Sequence, residues 1–408
     1  MKIFMKSELL APAGSIEGMR AAIAAGADAV YMAGKKYGLR AFAGNFAEDE
    51  LAEGIKYAHE HNVKVYVTVN IFPHNQDLVG LKEYLEELYQ LGADAIIAAD
   101  PGVIMLSRET VPALPIHIST QANTTNWADV LFWQKYCNVE RVVLARELSL
   151  SEIAEIKEKT GAEIETFIHG AMCISYSGRC LLSHYMADRD ANKGECVQAC
   201  RWNYALVEEK RPNEFYSIEE DERGSYIFNS QDMCLLQNMA ELMNGTINSF
   251  KIEGRMKSLY YTASIVRAYR AVMDAIINKE KPDYAYWAGE LEKVSHRPYC
   301  TGFYFGKPEK GAVNSAHSGY IKPYDFIGIV LEYDEETQIA TIEQRNHFKV
   351  GDSVEFFGPK YQQIEIKIEE MRDKYGNIIT KAPNAQMIVK MKVPHKLYPL
   401  DLMRKEIN

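Results

Sequence analysis

The first 280 residues alternate short apolar runs with longer segments whose apolar residues recur at helical spacing. The phrase "AAGADAVYMA" at 24–33 recurs as "QLGADAIIAA" at 90–99, and each copy places a glycine at a helix end before an apolar run. A looser third copy, "MNGTINSFKIEGR", occupies 243–255. Repeated units of this kind predict parallel strands that are joined by crossover helices.

Eight apolar runs are candidates for these parallel strands. They lie around Leu9 and at 28–34, 64–71, 94–100, 114–120, 140–147, 162–169 and 249–254. Eight strands favour a closed (β/α)8 barrel of the TIM type over residues 1–280. An open doubly wound sheet is the alternative, but "LLAPAGS" after the first run lacks the glycine spacing of a dinucleotide-binding turn.

One connection in this pattern is far longer than the others. Between the seventh and eighth predicted strands the chain runs through residues 170–248, whereas an ordinary connection has about two to six residues. Four of the seven cysteines lie in this insertion. Because loops that follow barrel strands line the catalytic face, the insertion is predicted to roof or line the mouth of an active site.

The pattern changes after an apolar segment at 258–278 that is typical of a long helix. Residues 281–322 are rich in proline, glycine and tyrosine, and we interpret them as a linker. From 323 to 408, short runs of alternating apolar and polar residues are separated by turn sequences such as "KYGNIIT". These runs predict a second domain, a small antiparallel β-barrel.

The charge balance limits the possible partners. The formal net charge is −10, whereas proteins that grip nucleic acid nonspecifically usually carry a basic excess. This argues against a bulk polyanion binder but not against a structured substrate such as a folded RNA. No apolar run reaches the length of a membrane span and no signal peptide is evident, so we expect a cytoplasmic protein without a membrane partner.

The clustered cysteines follow the pattern Cys-x6-Cys-x15-Cys-x3-Cys. In a reducing compartment, such a cluster indicates metal or redox chemistry rather than disulfides. Four thiolates can hold a 4Fe–4S cluster or a tetrahedral zinc ion, and the wide first spacing favours iron–sulfur. Cys234 is a possible substitute ligand, although a core position explains it better. The four cysteines of the pattern are Cys173, Cys180, Cys196 and Cys200.

The stretch "ETFIHGAMCISYSGRCLLS" at 165–183 resembles the signature of the collagenase-like peptidase family U32. Three further segments fit the same family, namely "ELLAPAG", "SFKIEGRMKS" and "HRPYCTGFYFG". The signature positions are Glu165, Phe167, Gly170, Ala171, Cys173, Gly178, Cys180 and Ser183. The resemblance covers most of the chain, including its C-terminal domain.

The resemblance implies a function that differs from the family's name. Several members use iron–sulfur clusters in oxygen-independent or prephenate-dependent hydroxylation of tRNA, ribosomal RNA or a quinone ring. This chain is most similar to the branch that makes 5-hydroxyuridine at the wobble position of tRNA. In that branch the cluster ligands correspond to the four cysteines of the pattern, and prephenate is the expected co-substrate.

Three hypotheses for the function follow. The first is an iron–sulfur enzyme that hydroxylates the wobble uridine of tRNA with prephenate. The second is a peptidase, for which His169 and Cys173 are a possible base and nucleophile, although a His-Glu-x-x-His zinc motif is absent. The third is a cluster-bearing subunit of another hydroxylation system, with a family paralogue as its partner.

Substrate-binding candidates follow from the first hypothesis. Prephenate carries two carboxylates, which arginine binds through paired donors; Arg40, Arg146 and Arg255 lie near strand ends, although a rim salt bridge is the simpler role for each. Polar residues that follow strands suit a base edge or a carboxylate, or else cap the next helix. A tyrosine of the insertion suits stacking on a flipped base. These further candidates are Asn70, Gln121, Asn123 and Tyr176.

Four residues are candidates for the chemistry itself. Lys251, Glu253 and Arg255 alternate along the eighth predicted strand and should point the same way. Opposite charges that face into a barrel need each other or a ligand. His169, at the end of the seventh strand, is either an acid–base or ligand-binding group or a hydrogen-bonded rim residue.

Overall fold

In a computed structural model of the chain, the eight apolar runs of the first domain form eight parallel strands. The structure describes residues 7–38, 45–172, 182–187, 189, 196–197, 206–208, 211–216, 231–306 and 321–407. Up to the last barrel strand, the elements in chain order are β1 (Glu8–Pro12), α1 (Ile16–Ala24), β2 (Ala29–Met32), α2 (Glu48–Glu60), β3 (Lys64–Val69), α3 (Leu81–Gln90), β4 (Ala95–Ala98), α4 (Pro101–Thr110), β5 (Ile116–Ile118), α5 (Trp127–Cys137), β6 (Arg141–Val143), α6 (Leu150–Thr160), β7 (Glu163–Ala171), α7 (Leu182–Ala187), β8 (Leu206–Glu208), β9 (Arg211–Tyr216), β10 (Asp232–Cys234), α8 (Met239–Leu242) and β11 (Ser249–Ile252).

The barrel closes through β11. Strands β1 to β7 pair in sequence order, and β11 pairs in parallel with both β1 and β7. Leu10 lies opposite Lys251 on one side, and Lys251 lies opposite Phe167 on the other. The predicted (β/α)8 barrel is therefore confirmed, and the open doubly wound sheet is excluded by this closure.

Short polar residues fix where the outer helices begin. The side chains of Asn126 and Ser149 accept hydrogen bonds from the backbone N–H groups of Asp129 and Glu152. Such caps satisfy donors that the first helical turn leaves open. These caps fix the points at which α5 and α6 begin, after the loops that follow β5 and β6.

The long insertion returns to the barrel before it ends. Strand β10 pairs antiparallel with the end of β7, so that Cys234 lies opposite His169. Beyond β11 come α9 (Leu259–Ile277), α10 (Tyr284–Glu292) and β12 (Tyr299–Cys300). Strand β12 pairs in parallel with β10 and extends the barrel sheet by a further strand. The interpretation of 281–322 as a linker is thus wrong for 281–306, because α10 and β12 pack onto the barrel there.

The C-terminal domain is an antiparallel sheet, as the alternating runs predict. Its strands are β13 (Tyr324–Asp334), β14 (Ile339–Gln344), β15 (Phe348–Lys349), β16 (Ser353–Gly358), β17 (Tyr361–Lys367), β18 (Met371–Asp373), β19 (Ile378–Ile379), β20 (Lys381–Ala382), β21 (Ile388–Lys392) and β22 (Leu402–Glu406). Eight of them form one sheet in the order β17-β16-β22-β13-β14-β21-β18-β19, and β15 pairs with β20. Ile342, Phe356 and Met403 belong to its separate apolar core.

Buried contacts join the two domains. The Tyr260 ring of α9 stacks on Phe326 at 5.7 Å between ring centroids, with an angle of 5°. Arg404 of β22 donates to Glu290 of α10 at 2.7 Å and forms an ion pair with Glu355 at 2.6 Å. None of the described helices has the length and apolar character that a membrane span requires.

Candidate active site

Arg146 holds three strand ends together at the carboxyl end of the barrel. Its Nη1 donates to the carbonyl oxygen of Ala171 at 2.7 Å, and its Nη2 lies 2.9 Å from Glu253 Oε2. The guanidinium lies over the Phe167 ring, 3.8 Å from the ring centroid. Arg146 follows β6, Ala171 ends β7 and Glu253 follows β11, so one side chain fixes the relative positions of three loops. Loops at this end carry the active site of such barrels.

Arg255 reaches across the same end of the barrel. It is buried, and its Nη1 donates to Thr68 Oγ1 of β3 at 2.8 Å. Its backbone lies against the loop after β1, because a Cβ atom added to Gly14 would come within 2.0 Å of the Arg255 carbonyl oxygen. The segments "LLAPAGS" and "IEGR", far apart in sequence, therefore meet at the mouth, and only a glycine fits at their contact.

Amide side chains occupy the neighbouring loops. Asn70 Nδ2 donates to Ser119 Oγ at 3.4 Å, which links the ends of β3 and β5. Gln121 Oε1 and Asn123 Oδ1 are buried, and neither has a hydrogen-bond partner among the described residues. Helix α5 is capped by Asn126, so these two amides do not serve as its cap. A buried amide oxygen that lacks a partner in the protein suits a ligand that supplies an N–H or O–H donor.

The loop after β5 is itself fixed to the loop after β6. Thr120 Oγ1 donates to the carbonyl oxygen of Leu144 at 3.2 Å, and the Ala145 N–H donates to the carbonyl oxygen of Thr124 at 3.1 Å. These bonds bring the amide loop beside the segment that carries Arg146. Glu147, the next residue, has a buried Oε2 with no partner among the described residues, and burial raises its pKa.

Lys251 does not pair with Glu253. Its Nζ lies 2.8 Å from Glu165 Oε1 inside the barrel and over the Tyr31 ring, while Glu253 pairs with Arg146. Both charges are therefore compensated, but by partners on other strands. Although burial disfavours the ionised form of Glu165, the nearby cations of Lys251 and Arg141 lower its pKa.

The buried charges continue toward the amino ends of the strands. Arg141 Nη1 lies 2.5 Å from Glu8 Oε1 and 3.4 Å from Glu165 Oε2. Tyr66 OH donates to the other oxygen of Glu8 at 2.7 Å, and Ser249 Oγ donates to Glu8 at 3.0 Å. This network of buried charges joins β1, β3, β6, β7 and β11 inside the barrel, below the residues at the mouth. Glu8 and Arg141 were not among the residues predicted from the sequence. The sequence feature that could have indicated them is a charged residue at the start of an apolar strand.

His169 lies outside the mouth. Its ring packs against Tyr261, Tyr269 and Tyr299 at 5.4–6.0 Å, and its Nδ1 is 3.3 Å from Tyr269 OH of α9. Burial, followed by the nearby His296 and Lys257, lowers the pKa of His169 to about 3. A neutral, hydrogen-bonded ring between barrel and helix corresponds to the simpler of its two predicted roles.

This burial predicts a dependence of stability on pH. The unfolded chain binds a proton at His169 below about pH 6.5, whereas the folded chain does not until about pH 3. Between pH 7 and pH 5, this residue should therefore remove about 2 kcal/mol from the free energy of unfolding. Measured by chemical denaturation, the free energy of unfolding of His169→Gln should fall by about 2 kcal/mol less than that of wild type between pH 7 and pH 5. An identical pH dependence in both proteins would contradict the buried neutral ring.

Of the four described cysteines, Cys196 is exposed, and Cys137, Cys234 and Cys300 are half-buried. Cys196 is exposed, and its Sγ lies 3.6 Å from Ser183 Oγ, which also accepts from the Val197 N–H. Cys234 Sγ lies 3.8 Å from Tyr269 OH, and burial raises the Cys234 pKa to about 11. Cys234 therefore has the properties of a core thiol. The remaining candidates Arg40, Cys173, Tyr176, Cys180 and Cys200 lie outside the described residues.

Within the parts of the chain that the structure describes, no group of three or more His, Cys, Asp or Glu residues is arranged to hold a metal ion. The set of four cysteines falls mostly outside those parts, so the structure does not test it. An exposed thiol at Cys196 fits a ligand position, since thiolate ligation needs an accessible sulfur that can lose its proton.

Comparisons with known proteins agree with this architecture. A model described as Peptidase family U32 matches residues 14–314, and one described as Peptidase family U32 C-terminal domain matches residues 322–404. The tRNA hydroxylation protein P1 of Bacillus subtilis (strain 168) is 44% identical and covers 99% of this chain and 96% of its own. The tRNA hydroxylation protein P of Escherichia coli (strain K12) is 38% identical over 96% of this chain and 95% of its own. A collagenase of Porphyromonas gingivalis is 30% identical over 97% of this chain and 98% of its own.

Proposed function

This chain belongs to peptidase family U32, and on that premise we propose that it hydroxylates RNA, with the wobble uridine of tRNA as its target. The observation that carries the proposal is the end-to-end match to two relatives that are named tRNA hydroxylation proteins. Both matches include the barrel and the C-terminal sheet, so the whole arrangement is shared. The tRNA substrate would place the protein in the cytoplasm.

The mouth of the barrel supplies groups for a pyrimidine base. Uracil offers one N–H donor at N3, and Gln121 Oε1 and Asn123 Oδ1 are buried acceptors with no partner among the described residues. A base that enters the mouth must leave its stack, and hydrogen bonds to its edge help to offset that cost. We therefore assign Gln121 and Asn123 to the base, with Asn70 beside them.

Arg146 is the best candidate for the carboxylates of prephenate. Two of its three nitrogens bond to the protein, while its Nε is buried without a partner among the described residues. Fixed by Ala171 and Glu253, the guanidinium keeps its Nε–H as a donor for an anion and does not need to reorganise when that anion binds. Arg255, two residues after Glu253 and bonded to Thr68, is our candidate for a second carboxylate.

Cys173, Cys180, Cys196 and Cys200 would hold a 4Fe–4S cluster. A set of four thiolates, the donor set of both 4Fe–4S and zinc centres, fits the group, and the exposed Cys196 sulfur is consistent with it. When bound, such a cluster would supply electron transfer at the roof of the mouth. The residues of the barrel would orient the base and the co-substrate beneath it and exclude water.

The function is tested by removing the gene from its host and digesting total tRNA for nucleoside mass spectrometry. We expect 5-hydroxyuridine and its derivatives to disappear and to return with the wild-type gene, but not with a Gln121→Ala/Asn123→Ala variant. An unchanged nucleoside profile would contradict the proposal. Cleavage of denatured collagen by the purified protein, with intact tRNA modification in the deletion strain, would favour a peptidase instead.

The cluster is tested by anaerobic purification and by analysis for iron, sulfide and zinc. Wild type should contain about four irons and four sulfides per chain, and Cys196→Ala should lose most of both, since each thiolate closes one corner of the cluster. Cys137→Ala is the matched control, because Cys137 ends α5, is not one of the four cysteines of the pattern and should leave the iron and sulfide content unchanged. One zinc without sulfide would contradict the iron–sulfur assignment.

A further inference from the structure

Like charges face each other twice in the C-terminal domain, once in the eight-stranded sheet and once in the two-stranded β15–β20 sheet. Lys349 of β15 lies directly opposite Lys381 of β20, and Arg372 of β18 lies directly opposite Lys390 of β21. All four side chains are exposed. Like charges directly opposite each other destabilise a strand pair. Two such pairs in one domain are a cost that a bound anion would remove.

Most of these cations have no ion pair among the described residues, although the Asp352 carboxylate lies near Lys349 and accepts from its backbone N–H at 3.0 Å. Arg372 forms an ion pair with Glu370 at 2.7 Å. In the described part of the chain, no carboxylate pairs with Lys349, Lys381 or Lys390, nor with Lys392, which lies two residues further along the same face of β21. We call Lys349, Arg372, Lys381, Lys390 and Lys392 the cationic edge.

The five side chains of the cationic edge are exposed and lie close together. Lys381 follows Ile378 by three residues, and Ile378 is the cross-strand partner of Arg372, so the two like-charge pairs lie within about 15 Å of each other. The barrel domain is contacted from β13, β16, β17 and β22 and from Arg345, which pairs with Glu17, whereas the five cationic side chains are exposed. The edge is therefore open to a partner.

An exposed aromatic side chain lies beside these charges. Tyr375, in the turn between β18 and β19, is 78% exposed, and Lys374 Nζ lies 5.0 Å from its ring centroid. The turn is held by Asp373, which accepts from the backbone N–H groups of Tyr375 and Asn377 at 2.9 Å. A fixed aromatic ring among cations is the combination with which proteins bind nucleic acid through stacking and phosphate contacts.

We propose that the cationic edge binds the phosphate backbone of the tRNA whose base enters the barrel mouth, with Tyr375 as a stacking platform. This inference rests on the proposed function for the identity of the RNA. The chain as a whole carries a formal charge of −10, so it would repel a polyanion unless a local surface attracted it. The edge supplies that surface in a domain distinct from the mouth.

The test measures binding of a labelled full-length tRNA transcript with a wobble uridine to the full chain, by fluorescence anisotropy at several salt concentrations. The variant is Lys349→Gln/Lys381→Gln/Lys390→Gln. The matched control is Lys56→Gln/Lys64→Gln/Lys281→Gln, which changes the net charge equally at exposed barrel-domain lysines outside any described ion pair. Polyglutamate, which is negatively charged like tRNA, serves as a competitor that tests whether any polyanion displaces the tRNA.

We expect the edge variant to bind at least about tenfold more weakly near 100 mM salt, and the slope of log K against log salt to fall by about 2, since each phosphate contact contributes about 0.7 to 0.9. The control should stay within about twofold of wild type. Equal weakening in both variants, or in neither, would overturn the proposal. Displacement of the tRNA by polyglutamate at equal charge concentration would also overturn it and indicate an acidic protein partner.

The outcome separates this inference from the proposed function. If the deletion strain keeps its hydroxylated nucleosides while the edge variant loses tRNA binding, the RNA surface stands and the hydroxylase assignment fails. If the deletion strain loses the nucleoside while the edge variant binds and modifies tRNA like wild type, the hydroxylase assignment stands and the cationic edge is refuted.

Discussion

Replacing Gly14 by alanine should reduce RNA hydroxylation about a hundredfold or more. The new Cβ would lie 2.0 Å from the Arg255 carbonyl oxygen, and real contacts of this kind are longer by more than 1 Å. Because the obstacle is backbone, the loop after β1 or the segment after β11 must move. Arg255 would move with it and lose its bond to Thr68 Oγ1. A displacement of about 1 Å in a site is enough for an effect of this size.

The measurement compares the hydroxylated nucleoside in tRNA from deletion strains that carry each variant, together with the melting temperature of each purified protein. Gly289→Ala is the matched control, because nothing lies within 4 Å of its added Cβ in the middle of α10. That control should keep activity and gain up to about 1 kcal/mol, since alanine favours a helix. Full activity in Gly14→Ala would show that the mouth does not depend on this contact.

The barrel itself was predictable because its signal is local. Each strand is a short apolar run such as "DAIIAAD", and each copy of the repeated phrase places a helix end and a strand in a fixed order. Eight parallel strands that are joined by right-handed crossover helices are typical of a closed barrel, so closure of the sheet was also predictable. The linker interpretation failed for the opposite reason. Strand β12 has two residues, and it exists only because β10 offers an edge to pair with.

The direction of His169 could not be predicted from alternation along the strand. Glu165 and Phe167 face the barrel interior, and strict alternation would turn His169 the same way. Strand β7 instead has an irregularity, since Lys251 lies opposite Phe167 while the next residue, Ile252, lies opposite His169. The extra residue turns the imidazole toward α9. The local sequence contains no pattern that predicts this bulge.

The partners of the charged residues were likewise beyond sequence reasoning. Lys251 and Glu253 were expected to compensate each other or to need a ligand, because they share a strand. The barrel offers each of them a closer partner from a neighbouring strand, namely Glu165 of β7 and the Arg146 side chain after β6. Pairing depends on the stagger of the strands around the barrel, and that stagger is a property of the closed sheet.

Replacing Arg404 by methionine should lower the free energy of unfolding by about 2–3 kcal/mol. Arg404 is fully buried and bonds to both Glu290 and Glu355, which are themselves largely buried. Burial disfavours the ionised form of Glu290, but the neighbouring Arg404 and Lys293 cations lower its pKa. Without Arg404, Glu290 keeps Arg267 and Lys293 and Glu355 keeps Lys293, but each carboxylate loses a charge-assisted hydrogen bond from a buried guanidinium, which is worth about 1.5–3 kcal/mol.

Arg20→Met is the matched control, because Arg20 pairs with Glu53 where both side chains are exposed, and its loss should cost less than about 1 kcal/mol. Chemical denaturation of both variants at pH 7 measures the difference. Lowering the pH should narrow the difference in stability between Arg404→Met and wild type, because protonation of Glu290, whose pKa Arg404 helps to lower, removes the charge that Arg404 compensates. Since Arg404 connects β22 to α10, limited proteolysis should also release the C-terminal sheet more readily from Arg404→Met. A loss no larger than that of Arg20→Met would mean that apolar contacts such as Tyr260 on Phe326 hold the domains together without the ion pairs.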